Sequence, residues 1–216
     1  MNSITHYDYF VLISGSDYPL RSAAYIEDFL DQNRGTEFLS LGKVPAPGKP
    51  IARITMTRYP STQPIRHYAF RALAKVGLGP QRDHRAYLGS MVLYSGLQWW
   101  ALSREACTYA VLCADAKERM VEFFEKSFAP DESFFQTILG NSDFRNRVQR
   151  FPIYLDWPID RPRMMGEEHV AFFESQKDGV YREDAYGRSE ALFARKFSDD
   201  QPALLDRVDA LIENRA

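Results

Sequence analysis

The first 41 residues carry the feature that most restricts the fold, a strand, a helix and a second strand in close succession. Residues 9–14 form a nearly continuous apolar run that ends in Gly15, Ser16 and Asp17. Such a run is typical of a buried parallel strand that delivers a loop at its carboxyl end. Residues 23–32 carry apolar side chains at helical spacing, and residues 37–41 suit a second strand. The pattern predicts an α/β fold, in which ligands bind at the carboxyl ends of the strands.

Size and composition fit one globular domain, residues 1–216. Of the 216 residues, 45% are hydrophobic and 14% aromatic, which is enough for a substantial core. The 27 basic and 29 acidic side chains are mixed along the sequence and leave a net charge of −2. This balance predicts neither a basic surface for nucleic acid nor an acidic tail for a cationic partner.

The cysteines and histidines indicate no disulfide and no structural zinc site. Cys107 and Cys113 lie six residues apart in one predicted helix, a spacing that does not suit a disulfide, so both are expected to be reduced. The four histidines are scattered and no Cys-x-x-Cys pair is present, so zinc lacks a ligand set. The sequence has no 18-residue apolar run and no signal peptide, and the expected location is cytoplasmic.

Proline, glycine and polar residues mark three long loops, residues 42–50, 77–87 and 158–190, of which the first two are expected to face the substrate. The remaining pattern predicts further elements: a helix from Pro64, a strand over 97–102, a helix from Ser103 through 111, a helix from Pro130 to about 139, a strand over 151–157 and a last amphipathic helix from Pro202.

One acid stands out, Glu132, in the first turn of the helix predicted to begin at Pro130. A carboxylate in this position can act as a general base. It can equally fill the third position of a capping box or interact with the helix dipole. The box would be incomplete, because Ala129 at the predicted N-cap has no side-chain oxygen. From the residues alone, both interpretations stay open.

Three segments together resemble the Core-2/I-branching family of glycosyltransferases, which includes β-1,6-N-acetylglucosaminyltransferases and peptide O-xylosyltransferases. They are residues 9–20, 127–135 and 193–197, and the resemblance spans roughly residues 7–199. It implies a GT-A-like fold with a mostly parallel sheet flanked by helices. It also implies inverting transfer of a sugar, N-acetylglucosamine or xylose, from a UDP-sugar to a hydroxyl of a saccharide or protein, with Glu132 as the catalytic base.

The resemblance also implies that fixed cations, and no metal ion, bind the leaving diphosphate. Lys196 matches the family's phosphate-binding lysine, and Arg163 is the best match to its arginine, with Arg161 as a close rival. Without the resemblance, Lys196 is typical of an ordinary exposed lysine. The stretch between Arg163 and Lys196 is longer than in the family and contains a polar insert, residues 176–188.

A metal-dependent enzyme of this fold carries an Asp-x-Asp motif where residues 15–17 stand here. Gly15 replaces the first aspartate, and Asp17 alone would hold a divalent ion poorly. No metal or other cofactor is therefore expected, and Asp17 is assigned to the donor or acceptor sugar. The alternative is a turn residue that bonds its own backbone.

The remaining candidates for sugar binding come from two other segments. Residues 95–105 resemble the family segment beside the donor and acceptor sugars, which makes Gln98 and Trp99 candidates. An indole can stack on the face of a sugar ring. The candidates on the acceptor side are Tyr154, Asp156 and Trp157.

In the family, this region follows a nucleotide-binding segment that holds the base and ribose of the donor. The sequence starts at the strand expected after that segment, so the predicted fold is incomplete at its N-terminus and its first strand is an uncovered edge. The expectation is a fragment, a mispredicted start or a remnant, with weak or no activity alone.

Two other functions stay open beside transfer. One is a degenerate family member that binds a glycan or a partner without catalysis. The other is a hydrolase that pairs Glu132 with Asp131 or Asp17, since glycosidases need two carboxylates. The spanning anchor and disulfides of eukaryotic relatives are absent, which predicts a bacterial protein for surface-polysaccharide assembly, in the cytoplasm or at the inner face of the membrane.

Overall fold

The computed structural model describes residues 7–46, 49–59, 62–75, 79–158 and 162–215. Arg161, the rival of Arg163, lies outside the described residues. The strands are β1 Tyr9–Leu12, β2 Asp17–Pro19, β3 Glu37–Leu39, β4 Gly42–Lys43, β5 Tyr94–Ser95, β6 Trp100–Ser103, β7 Val148–Gln149, β8 Ile153–Leu155, β9 Tyr181–Asp184, β10 Gly187–Glu190 and β11 Phe193–Arg195. The helices are α1 Ala23–Gln32, α2 Ala52–Thr55, α3 Pro64–Lys75, α4 His84–Leu88, α5 Arg104–Ala116, α6 Glu118–Glu125, α7 Phe134–Gly140, α8 Glu167–Ser175 and α9 Pro202–Glu213, with 3-10 turns at Pro130–Glu132 and Asp143–Arg147.

The strands form several small mixed sheets. The largest has the order β1-β6-β3-β7, and a three-stranded sheet has the order β2-β11-β8. Among the described strands only β3 with β7 and β11 with β8 pair in parallel, and the other pairs are antiparallel. The α/β class is confirmed, but the prediction of a mostly parallel sheet is wrong. An apolar run indicates a strand and leaves the direction of its partners open.

β1 lies at the edge of its sheet and is not the buried parallel strand that its sequence predicts. It pairs antiparallel with β6. Phe10, Val11, Leu12 and Ile13 are each 38–43% exposed. The apolar run therefore predicted the right element in the wrong environment, since β1 is the edge strand of its sheet within the described residues.

The two terminal amphipathic helices follow their sequence patterns closely. α1 begins after Ser22, whose side chain caps it by accepting a hydrogen bond from the backbone N–H of Tyr25, and its apolar side packs on Phe38 and its neighbours. α9 buries Leu204 and Val208 against the core beneath the three-stranded sheet. Spacing alone identified both helices, because each has one continuous apolar side.

The predicted loops contain more regular structure than expected. Residues 158–190 include α8 and the hairpin β9–β10, residues 42–50 include β4, and α4 begins within residues 77–87. The predicted helix from Pro130 to about residue 139 is interrupted, because the 3-10 turn ends at Glu132 and α7 starts at Phe134. Short polar strands lack the apolar alternation that would reveal them in a sequence.

Two smaller expectations concern the cysteines and the membrane. Cys107 and Cys113 are free thiols, as predicted, and burial raises the pKa of Cys107 to about 11. Within the described ranges, none of the helices combines the length and the hydropathy needed to span a bilayer.

Candidate active site

Glu132 is presented by an unusual turn of the backbone. Ala129 has a φ of 49°, in the left-handed region, which is strained for a residue with a Cβ. The turn Pro130–Glu132 follows, and the carbonyl oxygen of Glu132 accepts a hydrogen bond from the N–H of Gly96 at 2.8 Å. The side chain of Glu132 is 28% exposed. The carboxylate thus has a fixed backbone and limited access to solvent.

Three residues that sequence reasoning missed surround this carboxylate, and together with Glu132 we call them the base cleft: Lys49, Arg53 and Tyr186. A guanidinium nitrogen of Arg53 lies 3.2 Å from Glu132 Oε2. Lys49 Nζ donates to the carbonyl of Gly96 at 3.1 Å and to the hydroxyl of Tyr186. Tyr186 stands in the turn between β9 and β10, so the polar insert delivers it to Lys49.

Burial and neighbouring charge set the protonation of the base cleft. Burial raises the pKa of Glu132 above its ordinary value, while the cations of Arg53 and Lys49 oppose that rise. Burial lowers the pKa of Lys49, and the carboxylate of Glu132 opposes this. Burial also raises the pKa of Tyr186 to about 12, so its hydroxyl is neutral at physiological pH. A carboxyl with a raised pKa is a better proton acceptor than an ordinary glutamate.

A second group of charges gathers at one edge of the three-stranded sheet, and we call it the strand-end cluster: Asp17, Asp156, Arg163, His169 and Arg195. Since β8 and β11 are parallel, their carboxyl ends share this edge, and the antiparallel β2 begins there. Asp156 follows β8, and Lys196 directly follows β11. Asp17, Asp156, Arg163 and Lys196, which were predicted in different roles, therefore lie at or near the same end of this sheet.

Asp17 is enclosed in internal contacts, which argues against its assignment to a sugar. Its side chain is 0% exposed. One carboxylate oxygen accepts from Arg195 at 2.7 Å and the other from the N–H of Ser14 at 2.6 Å. The alternative, a turn residue bonded to its own backbone, is what the structure contains.

Arg163 and Asp156, predicted in separate roles, are partners. A guanidinium nitrogen of Arg163 lies 3.4 Å from Asp156 Oδ2, and the backbone N–H of Arg163 donates to the Asp156 carbonyl at 2.8 Å. His169 Nε2 lies 3.0 Å from the same carboxylate oxygen. Lys196 differs, since none of the residues that the structure describes pairs with its ammonium group. Of the two predicted phosphate-binding cations, Lys196 is the more available.

Trp99 is a core residue, which argues against a stacking role. It is 4% exposed and packs with Phe38 and Phe151, and the guanidinium of Arg195 lies 4.6 Å from its ring centroid. A sugar could not reach this ring unless Arg195 moved. Gln98 is half-buried beside it and keeps its place as a candidate.

Tyr154 is also largely covered. Its ring packs edge-on against Phe173 with centroids 5.0 Å apart, and burial raises the pKa of its hydroxyl. It belongs mainly to the packing between the three-stranded sheet and α8.

The loop before β6 joins the two charged regions. Gly96 bonds the Glu132 backbone, the side-chain amide of Gln136 donates to the Leu97 carbonyl at 2.8 Å, and Trp99 contacts Arg195. Residues 96–99 therefore connect the base cleft to the strand-end cluster through contiguous contacts. Gln98, in the middle of this loop, is placed between them.

A sizeable cavity lies away from both charged regions. It has a volume of about 610 Å³ and lies between β1 and α5, lined by Tyr9, Arg104 and Tyr109 among others, and by none of the predicted site residues. A small cavity opens beside Lys49, Arg53 and Glu132. No group of three or more His, Cys, Asp or Glu side chains within the described ranges could hold a metal ion.

Comparison with known proteins gives the family context. The model of the Core-2/I-Branching enzyme family, "Branch", matches residues 2–175. The chain is 30% identical to Beta-glucuronosyltransferase GlcAT14A of Arabidopsis thaliana over 126 residues, which is 57% of this chain and 26% of that protein. It is 26% identical to Xylosyltransferase 2 of Rattus norvegicus over 137 residues, 63% of this chain and 14% of that protein.

A third relative aligns over almost the whole chain. Xylosyltransferase 1 of Mus musculus is 22% identical over 240 residues, which covers 97% of this chain and 24% of that protein. The chain thus spans about a quarter or less of the length of these relatives. Lys196 and Tyr186 lie beyond the residues that the family model matches.

Proposed function

We propose that this chain, which belongs to the Core-2/I-branching enzyme family of glycosyltransferases, transfers a sugar with inversion from a UDP-sugar to a hydroxyl of a saccharide or protein. Glu132 is the general base, and Arg163 and Lys196 offset the charge of the leaving diphosphate. The reaction needs no metal ion in this proposal.

The observation that carries the proposal is the environment of Glu132. Its carboxyl is held by a strained turn, is mostly buried and has a pKa raised by that burial. A small cavity adjoins it. These properties suit a group that must take a proton from a substrate hydroxyl close to neutral pH.

The chemistry is a single displacement at the anomeric carbon. The acceptor oxygen forms a bond to this carbon while the bond to the diphosphate oxygen breaks, the hydroxyl proton moves to Glu132, and the electron pair leaves with UDP. Negative charge therefore develops on the diphosphate, and fixed cations can stabilise it. Lys196 has no ion pair to lose among the residues that the structure describes, whereas Arg163 would leave Asp156, which keeps its contact with His169.

The donor sugar is proposed at the level of candidates. The family resemblance favours N-acetylglucosamine or xylose. The names of the relatives add glucuronic acid, since one is a glucuronosyltransferase and the others are xylosyltransferases. A donor panel should contain all three UDP-sugars.

A binding remnant of the same family is the second candidate, and two observations favour it. Arg53 already occupies one oxygen of the proposed base. Asp17 and Trp99, both predicted to contact sugars, are buried in internal contacts. Such a protein would bind UDP or a glycan and release no product.

The test is UDP release by the full chain from this donor panel, with EDTA present and with saccharide and peptide acceptors. Glu132→Gln should lower kcat/KM by about 10²–10⁴-fold, the usual contribution of a general base, and leave UDP affinity unchanged. Asp131→Asn, on the exposed neighbour, is the matched control and should retain activity. Turnover that persists in Glu132→Gln would refute the assignment of the base, and UDP binding without turnover would favour the remnant.

A further inference from the structure

The segment between Glu37 and Asp83 carries only positively charged side chains, which the near-neutral net charge of the whole chain does not reveal. Between Glu37 and Asp83 the sequence contains no aspartate or glutamate. The same stretch contains eight cations, Lys43, Lys49, Arg53, Arg58, Arg66, Arg71, Lys75 and Arg82. Because no carboxylate of the segment can neutralise them, its charge is available for something from outside the segment.

Two of these cations share one aromatic ring beside the base. The guanidinium carbons of Arg53 and Arg58 each lie 5.0 Å from the ring centroid of Phe128. Phe128 directly precedes Ala129, the strained residue of the turn that presents Glu132. The ring therefore fixes two positive charges next to the base cleft.

A cavity of about 390 Å³ opens on this ring, and we call it the cationic cleft. Its lining includes Arg58, Tyr59, His67, Phe70, Phe128 and Ala129. Phe128 and Ala129 also line the small cavity at Glu132. The cationic cleft thus shares two lining residues with the cavity at the site of the proposed proton transfer.

The Nε atom of Arg58 lacks the hydrogen-bond partner that a buried donor normally has. This atom is buried and has no hydrogen-bond partner within the described structure. None of the carboxylates in the described ranges lies within ion-pair distance of it. A buried donor without an acceptor is uncommon in proteins and indicates a missing partner. A carboxylate oxygen of a ligand would supply it.

The aromatic side chains of the cleft favour a sugar as the rest of this ligand. The rings of Tyr59 and Phe70 lie 4.7 Å apart between centroids, and the guanidinium of Arg66 lies 5.6 Å from the Tyr59 ring. Aromatic faces next to guanidinium groups suit a ring that is apolar on its face and charged at its edge. An acidic sugar has both properties, whereas an acidic peptide needs only the charges.

We propose that the cationic cleft is an acceptor subsite for a saccharide that carries carboxylates, such as a uronic acid oligomer. The identification of this saccharide as the acceptor rests on the proposed function, but its binding requires no turnover. Arg58 binds the carboxylate, the aromatic rings contact the sugar, and Arg53 stands between this subsite and Glu132. Specificity for an acidic acceptor then follows from a segment that carries cations alone.

The test is calorimetric titration of the full chain, without donor, with three probes: tetragalacturonate, its carboxyl-reduced neutral counterpart and tetraglutamate. Tetragalacturonate should bind at least about tenfold more tightly than the other two, since a charged hydrogen bond is lost in the neutral probe. Arg58→Ala should raise Kd for tetragalacturonate about tenfold or more, and Arg58→Lys should restore part of the affinity. Arg119→Ala removes a guanidinium on α6 that lies 5.2 Å from the ring centroid of Tyr87 on α4, and this variant should bind the probes like the parent protein.

The outcomes separate this proposal from the function on which it rests. Equal binding of the neutral probe, or no effect of Arg58→Ala in a variant with unchanged circular dichroism, would overturn the acidic subsite even if UDP is released. Tight binding of tetraglutamate would reassign the cleft to an acidic peptide. Displacement of tetragalacturonate by UDP, with weaker UDP binding in Arg58→Ala, would assign it to the donor phosphates. Selective binding of tetragalacturonate without any UDP release would support the acidic subsite and contradict the proposed transferase activity.

Discussion

The base cleft and the strand-end cluster both contain carboxylates and cations, but they differ in how completely these charges are paired. In the strand-end cluster, Asp17 is fully enclosed with Arg195, and Asp156 is shared by Arg163 and His169. In the base cleft, Glu132 retains access to solvent, its pKa is raised by burial, and cations outnumber carboxylates. Charges that satisfy one another stabilise the fold, and charges left unbalanced are available to a ligand.

The strongest test of this contrast is Asp17→Asn in the strand-end cluster. Removing one partner of a buried ion pair leaves Arg195 uncompensated and should cost about 3 kcal/mol of folding free energy. For a chain of this size, that lowers Tm by roughly 6–12 °C, which calorimetry or circular dichroism would record. Asp209→Asn, on the exposed carboxylate that accepts from the Tyr18 hydroxyl, should shift Tm little. Normal stability with lost UDP release would break the contrast, because Asp17 would then act on the substrate.

Lys196 tests whether an unpaired charge next to the strand-end cluster serves the substrate. It adjoins that cluster and has no partner among the described residues. Lys196→Ala should lower kcat/KM for the UDP-sugar by about 10- to 100-fold through loss of a charged contact to phosphate, with Tm unchanged. Lys196→Arg should recover part of the activity, and Lys177→Ala, on an exposed lysine after α8, should behave like the parent protein. A large loss of Tm in Lys196→Ala would move this residue into the structural group.

The pH dependence of the base cleft provides a finer test. Glu132 must be deprotonated to act, so activity is present above its pKa and is lost as the pH falls through it. Arg53 opposes the rise in this pKa, and Arg53→Met should therefore move the acidic limb of the kcat/KM profile to higher pH. At mildly acidic pH the loss should be a few-fold larger than at alkaline pH. Arg34→Met, on a surface arginine paired with Asp8 and Asp31, should leave the limb in place.

The smallest expected effect is that of Tyr186→Phe, which removes the hydroxyl that Lys49 contacts and keeps the ring. One hydrogen bond is worth about 0.5–1.5 kcal/mol, so kcat/KM should fall by about two- to tenfold, with a displaced acidic limb. Tyr181→Phe, in the same hairpin and exposed, should have neither effect. A pH profile identical to that of the parent would mean that Tyr186 only packs against the cleft.

The sequence predicted the position of Glu132 but not its surroundings. The turn and its acid are local, and the helices α1 and α9 follow from the spacing of their own apolar residues. Lys49 and Tyr186 meet across a large separation in sequence, and a polar insert gives no periodic signal for its contacts. The absence of aspartate and glutamate between Glu37 and Asp83 can be read from the sequence, but a net charge averaged over the whole chain does not show it.

Burial accounts for the remaining errors. Trp99 and Asp17 have side chains suited to sugars, and their chemistry is the same whether they face solvent or the interior. The partner that covers both is Arg195, a residue that the sequence presents only as the neighbour of Lys196. The pairing of strands determines which of these side chains become buried. Apolar runs in the sequence do not show whether the strands of these small mixed sheets pair in parallel or antiparallel.

The contact between Lys49 and Tyr186 also determines when, during synthesis of the chain, the surroundings of Glu132 can be completed. Chains are made from the N-terminus and fold largely as they emerge, so Lys49, Arg53 and Glu132 all leave the ribosome before the hairpin β9–β10 exists. Until that hairpin docks, Lys49 lacks its tyrosine partner and the electrostatic surroundings of Glu132 are unfinished. The proposed base therefore acquires its final environment only after a hairpin that follows all three residues in the sequence has been made and has docked.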